Sequence, residues 1–157
     1  MSLEAIAVIA FFISFYVFFC YRGKQQFARN VEAGQDFCKA NQNKPNVFTT
    51  SSGLQYQVLK PAKPRDQFML AKADSTICVH YQGSLLDGTV FDASQDKPAT
   101  FNLDQMMPGW QEGIQLMQIG ERTRFFVPSH LAYGAKKVGP IEPGALLIFD
   151  VKLVDFY

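Results

Sequence analysis

Short segments with strand character limit what the second two-thirds of this chain can fold into. In ALLIFDVKLVDF, Phe149, Val151 and Leu153 fall on one face of a strand, and Asp150 and Lys152 fall on the other. A period of two residues is typical of a strand with one buried and one solvated face. Four other segments have strand character, namely LQYQVLK, STICVHYQG, TVFD and ERTRFFVP. The sequence therefore predicts a mostly antiparallel sheet, with a tight Asp-Gly turn just before TVFD.

One segment of this region, PGWQEGIQLMQIG, has a strong helical pattern. Trp110, Ile114 and Met117 are spaced at i, i+4 and i+7, Pro108 precedes the first turn, and Gly120 ends the pattern. Because nothing else in this region can cover the apolar face of the sheet, we expect this helix to pack against it. The predicted fold class is α+β.

The N-terminal run AIAVIAFFISFYVFFCY, residues 5–21, contains no charged side chain. Its length is at the short end of what a transmembrane helix needs. A cleaved signal peptide and a buried core helix are the alternatives. A signal peptide has a basic start and a small-residue cleavage site, whereas only Glu4 precedes this run and bulky residues end it. We therefore expect residues 1–22 to form an uncleaved single-pass membrane anchor.

Residues 23–52 are expected to connect this anchor to the folded body, residues 53–157. KQQFARNVEAGQDFCKANQ predicts a weak amphipathic helix interrupted near Gly34, because Phe27, Val31 and Phe37 do not form a continuous stripe. NKPNVFTTSSG predicts a linker or a short extended segment. All Lys and Arg follow the apolar run, so the positive-inside rule favours a cytoplasmic body.

Composition and motifs exclude several kinds of function. The formal net charge of +1 gives no electrostatic reason to expect nucleic acid as a partner. None of the three cysteines forms a CxxC pair, so no metal site is predicted, and no cofactor motif is present. In VHYQGSLLDGTVFDAS, Tyr81 lies among inward-pointing apolar residues and Asp92 directly follows Phe91. If this segment belongs to an active site, the reaction uses a phenol and a carboxylate but no nucleophile from these residues.

Several segments resemble one known family in order and spacing over residues 53–157. VHYQGSLLDGTVFDAS, PGW and LAYGAKKVGPIEPGALLIFDVKLV are similar to the FK506-binding (FKBP-type) peptidyl-prolyl cis-trans isomerase domain. DKPATFNL and SSGLQYQVL resemble bacterial members of the macrophage infectivity potentiator-like branch. The resemblance implies a strongly twisted antiparallel sheet curled around one short helix, with the active cleft between them.

The same resemblance bears on assembly and location. Bacterial members of this branch often carry a helical dimerisation arm, and because only a short stalk takes its place here, we expect a monomer. Relatives with N-terminal hydrophobic segments are often periplasmic. Although the flanking charge favours a cytoplasmic body, we therefore expect an inner-membrane anchor with a periplasmic body.

The resemblance also implies the residues of the site. Trp110 is the expected floor of the cleft, and residues 134–144 are its flap. For Asp92 two roles remain open: a carboxylate near the rotating amide, bonded to the Tyr81 hydroxyl, or a cap for a turn. Carried over by position, the catalytic residues are Tyr81, Phe91, Asp92, Trp110, Tyr133 and Phe149, and the substrate-binding residues are Met106, Met107 and Ile141.

An aromatic cleft suits rotation about the bond that precedes proline. That rotation breaks no bond and crosses a barrier of about 18–20 kcal/mol. The twisted amide is less polar than the planar one, so an apolar box favours it, and the Tyr133 hydroxyl could hold a substrate carbonyl. The predicted function is acceleration of X-Pro rotation in proline-containing client proteins, with macrolides of the FK506 or rapamycin type as further ligands. The alternative is a non-catalytic module that binds proline segments or a partner protein.

Overall fold

The computed structural model describes residues 3–63 and 70–157, with side chains from residue 11 onward. A 39-residue helix, α1, spans Leu3–Asn41 and precedes the body. A second helix, α2, spans Pro108–Ile114. The strands of the described residues are β1 (Val47–Thr49), β2 (Gln55–Lys60), β3 (Thr76–Ser84), β4 (Val90–Ala93), β5 (Ala99–Asn102), β6 (Arg122–Val127) and β7 (Leu147–Phe156).

The described strands form one antiparallel sheet in the order β1-β2-β6-β7-β3-β4, and β5 also pairs with β3. The first half of β3 pairs with β5 and its second half pairs with β4, so these two strands follow one another along the edge of β3 opposite β7. The predicted α+β class with an antiparallel sheet is confirmed. All five predicted strands are present, β1 lies in the segment predicted to be a linker or a short extended segment, and β5 was not predicted.

The short helix α2 covers the apolar face of the sheet, as predicted. Trp110, Ile114 and Met117 are at most 2% exposed and belong to one core cluster with residues of β3, β6 and β7. The helix ends at Ile114, earlier than predicted. Beyond it, the Met117 N–H donates to the Ile114 carbonyl in a tighter turn, which keeps Met117 in the core although the α-helix has ended.

The expected interruption of the N-terminal helix near Gly34 is wrong, because α1 is continuous through this residue. Gly34 is buried, and a Cβ added to it would lie 3.1 Å from the Leu146 Cβ. The glycine therefore allows close contact between helix and body. The positions of residues 23–41 that are not fully exposed are 27, 30, 31, 34, 37, 38 and 41. They form a continuous helical stripe that includes polar and small residues.

The expected membrane anchor is not found in α1. Within the residues that the structure describes, no helix has a stretch long and apolar enough to cross a membrane. On this finding, the expectations of a transmembrane helix over residues 1–22 and of a single-pass inner-membrane location are wrong.

Candidate active site

Trp110 lies at the centre of an aromatic cluster at the start of α2. Its ring centroid is 5.4 Å from that of Tyr81, 6.0 Å from that of Phe101 and 5.3 Å from that of Phe149. All three pairs have interplanar angles between 85° and 89°. Edge-to-face contact is favourable for aromatic rings because a positive ring edge meets a negative ring face. Three strands and one helix thus fix the orientation of the indole ring.

A fifth ring extends the cluster along β4. Phe91 packs edge-on against Phe149, with ring centroids 5.6 Å apart. Gly83 on β3 makes room for this pair, since a Cβ there would lie 2.6 Å from the Phe91 Cζ and 2.9 Å from the Phe149 Cε1. The sequence motifs did not indicate the role of Gly83, and Phe101 was not among the predicted site residues. No local sequence pattern indicates that Phe101 contacts Trp110.

A polar pair lies beside these rings. The Tyr81 hydroxyl donates a hydrogen bond to Asp92 Oδ2 at 2.8 Å. Burial raises the pKa of Tyr81 to about 12, with further contributions from the hydrogen bond and charge of Asp92 and from nearby Tyr133. The phenol is therefore protonated at neutral pH and acts as a donor. This is the hydrogen bond on which the electrostatic interpretation of Asp92 depends, while a catalytic role for Asp92 stays a prediction.

The remaining predicted site residues pack on the same cluster. Met106, Met107 and Tyr133 are half-buried against it, and Ile141 is 4% exposed within it. The two methionines lie just before the first turn of α2, where the Met107 carbonyl accepts a hydrogen bond from the Trp110 N–H at 2.9 Å. The structure therefore brings all nine predicted residues together.

The segment expected to be the flap, residues 134–144, is a closed loop. The Gly144 N–H donates to the Gly134 carbonyl at 2.8 Å, which joins its two ends. Val138 and Ile141 exchange backbone hydrogen bonds of 3.0 and 2.9 Å across the loop. Ile141 thereby enters the core cluster from the flap, while Val138 beside it is exposed.

The chemistry available here is that of an apolar surface with few donors. The Trp110 Nε1–H is buried and has no hydrogen-bond partner within the part of the chain that the structure describes. In the same residues, no group of three His, Cys, Asp or Glu side chains could hold a metal ion. Apart from the hydrogen-bonded Tyr81–Asp92 pair the cluster is mainly apolar, so the arrangement can remove water from a ligand that packs on it.

Sequence comparisons assign the chain to a family. The family profile for FKBP-type peptidyl-prolyl cis-trans isomerases matches residues 69–154, and a profile for the domain amino-terminal to such isomerases matches residues 19–58. The chain belongs to the FKBP-type peptidyl-prolyl cis-trans isomerase family. It is 48% identical, over 130 residues, to the FKBP-type isomerase FkpA of Aeromonas hydrophila, covering 80% of this chain and 46% of that protein.

Further relatives support the bacterial branch predicted from the sequence. The outer membrane protein MIP of Legionella longbeachae is 44% identical over 131 residues, which cover 80% of this chain and 53% of that protein. The crystal structure of FkpA from Escherichia coli superimposes with a TM-score of 0.87 at 32% identity, covering 99% of this chain and 73% of that one. The chain therefore spans about half the length of the curated FKBP-type relatives that it matches.

Proposed function

We propose that this chain is a peptidyl-prolyl cis-trans isomerase that acts on proline-containing polypeptides. The observation that carries the proposal is the aromatic cluster around Trp110, with the Tyr81–Asp92 hydrogen bond at its edge. Membership of the family supports it. Uncatalysed X-Pro isomerisation takes about 10–100 s, slow enough to limit folding, so a chain with this activity would act on folding clients.

In the proposed mechanism the apolar rings replace water around the X-Pro amide, which rotates without being cleaved. The proline ring packs on the indole of Trp110, with Phe91 and Phe149 at its sides. Removal of water disfavours the charge separation of the planar amide more than it disfavours the twisted state, and this lowers the barrier. The hydroxyl of Tyr133 holds a substrate carbonyl, and Asp92 holds the phenol of Tyr81 in place.

Isomerisation of a short X-Pro peptide by the full chain tests the proposal. We expect the chain to accelerate isomerisation clearly, and Phe91→Ala to lower kcat/KM by about tenfold or more, because the variant loses a ring wall of the cleft. Phe48→Ala is the matched control, since Phe48 is exposed and stacks on Tyr56 away from the cluster. Equal losses in the two variants, or no acceleration by the unmodified chain, would contradict the proposal.

The binding-module alternative predicts a different pair of results. Trp110 is the only tryptophan of the chain, so intrinsic tryptophan fluorescence reports on the floor of the cleft alone. A fluorescence change on addition of the peptide, without acceleration of its isomerisation, would favour a module that binds proline segments without turnover. The same titration with a macrolide of the FK506 type tests whether such ligands bind.

A further inference from the structure

We propose that α1 belongs to the isomerisation machinery, with Asn30 as the residue that positions the flap. This inference rests on the proposed function, because it concerns how the cleft selects its substrate. The flap carries Ile141 into the cluster and follows Tyr133, so its position affects the space beside the residue that precedes proline. A helix that fixes the flap therefore influences which X-Pro sequences are accepted.

The hydrogen bond from α1 to the base of the flap is direct. Asn30 Nδ2 donates to the Pro143 carbonyl at 2.8 Å, and Asn30 is half-buried. The neighbouring Gln26 Nε2 donates to Asn30 Oδ1 at 3.0 Å. Since Oδ1 is occupied as an acceptor by Gln26, the amide of Asn30 is oriented with its donor toward Pro143. Pro143 is two residues from Ile141.

Close backbone contact accompanies this hydrogen bond. A Cβ added to Gly144 would lie 2.6 Å from the Phe27 carbonyl oxygen and 3.1 Å from Val31 Cγ2. Gly144 also has a positive φ of 81° and closes the flap through its bond to Gly134. Only glycine combines this backbone conformation with such proximity to a helix. The last residue of the flap is therefore held against α1.

The contact continues one turn further along the helix. Gly34 packs against Leu146, which is 2% exposed and precedes the first residue of β7. Phe27, Asn30 and Gly34 are thus three successive points on one face of α1. They meet residues 143, 144 and 146, which are nearly consecutive in the chain. The flap is anchored by a helix at its C-terminal end, while residues 135–140 are exposed.

A purely structural role for Asn30 predicts a different result from a positioning role. A destabilised enzyme loses active molecules, which lowers kcat/KM by the same factor for every substrate. A displaced flap changes discrimination between substrates. The ratio of kcat/KM values for two peptides that differ only in the residue before proline, leucine or alanine, is independent of the active enzyme concentration. This ratio is therefore the readout.

The experiment uses the full chain with Asn30→Asp and Asn30→Ala. Both variants lose the donor to the Pro143 carbonyl, and the carboxylate of Asn30→Asp also repels that oxygen. We expect the leucine-to-alanine ratio to change about twofold to tenfold in both variants, the range that corresponds to the net contribution of one hydrogen bond. We expect the larger change in Asn30→Asp.

The matched control is Asn43→Asp. Asn43 is exposed and its Nδ2 also donates to a backbone carbonyl, that of Lys39, but it lies away from the flap. We expect its ratio to equal that of the unmodified chain. An active unmodified chain with an unchanged ratio in both Asn30 variants would overturn this inference alone. No acceleration by the unmodified chain would overturn the proposed function and this inference with it.

Discussion

Tyr81 and Asp92 meet because of strand register. Asp92 on β4 lies opposite Gly83 on β3, and Tyr81 is two residues before Gly83. Diagonal neighbours across an antiparallel pair are within reach of a long aromatic side chain. The phenol therefore reaches the carboxylate, and the hydrogen bond forms at the edge of an apolar cluster, where burial makes ionisation of the phenol unfavourable.

Asp92→Asn is expected to lower the pKa of Tyr81 from about 12 toward the usual value near 10. The carboxylate accepts a hydrogen bond from the phenol and its charge repels a tyrosinate. The amide of the variant can still accept that hydrogen bond, so the substitution removes the charge and weakens the bond. Burial, the largest cause, remains, and the pKa should stay above the usual value. Alkaline titration of the tyrosine signals by NMR measures the shift, with Tyr81→Phe identifying the signal. An unchanged pKa in Asp92→Asn would contradict the expectation.

This shift also has a consequence for alkaline stability. The pKa of Tyr81 is higher in the folded chain than in the unfolded one, so its contribution to stability is complete below about pH 10. That contribution is lost as the pH rises from about 10 to about 12. The free energy of unfolding should therefore fall less steeply over this window in Tyr81→Phe than in the unmodified chain.

At the scale of elements, β6 and β7 are joined by a charged pair as well as by backbone hydrogen bonds. Arg124 lies opposite Asp150 in the register, and its Nε and Nη2 donate to the two carboxylate oxygens at 2.5 and 2.8 Å. Arg122 adds a longer contact of 3.4 Å. The hydrogen bond from Arg124 holds the pKa of Asp150 below its usual value.

Asp150→Asn is expected to reduce the acid sensitivity of the fold. Because the pKa of Asp150 is lowered on folding, its contribution to stability is complete above the unfolded value near 4 and is lost as the pH falls below it. The contribution is about 1 kcal/mol or less, since the arginine partner is substantially exposed. Urea unfolding at about pH 7 and about pH 3 measures the difference. Asp155→Asn on the same strand is the control, and an equal acid loss in both variants would refute the assignment.

The strands that the sequence predicted are those whose side chains alternate over a sufficient length. β3 and β7 are nine and ten residues long and alternate clearly, so local pattern was enough. β5 has four residues, of which Phe101 is the one large apolar side chain, and its strand character depends on pairing with β3. β1 has three residues within the segment predicted to be a linker or a short extended segment. Such short strands are determined by non-local partners, which a local pattern does not contain.

The candidate site shows the same limit. Its aromatic residues follow from motifs quoted from the sequence, and the structure places them together. Gly83 and Asn30 were missed because their importance lies in what approaches them, namely two rings and the base of the flap. An Asn in a helix has no pattern that distinguishes a solvent-exposed amide from one that donates to a distant carbonyl.

At the scale of the whole molecule, α1 and the body share a buried polar junction. Asn41 Nδ2 donates to Gln55 Oε1 at 3.0 Å, and Gln55 Nε2 donates to the Cys38 carbonyl at 2.9 Å. Asn41 and Gln55 are 1% and 2% exposed. One turn away, Phe37 packs against Phe126 with ring centroids 5.4 Å apart. The last turns of α1 are therefore part of the same packed structure as β2 and β6.

Asn41→Ala is expected to destabilise the folded chain by about 1–3 kcal/mol, because it leaves the buried Gln55 Oε1 without a donor. The double variant Asn41→Leu with Gln55→Leu should recover much of this loss, since it removes both polar groups together. The Cys38 carbonyl keeps a donor in that variant, the N–H of Gln42 at 3.0 Å. Denaturant unfolding followed by Trp110 fluorescence measures the body, and far-UV circular dichroism adds the helix.

The unfolding midpoint measured by Trp110 fluorescence tests whether this junction couples α1 to the body. If it does, Asn41→Ala lowers the unfolding midpoint seen by Trp110, although this ring lies in the aromatic cluster and not at the junction. Asn43→Ala, at an exposed residue just beyond the helix, should leave that midpoint unchanged. A fluorescence midpoint unaffected by Asn41→Ala would mean that the body holds its stability without α1. The flap, which contacts both α1 and the body, would then be anchored to a helix that can separate from the cleft.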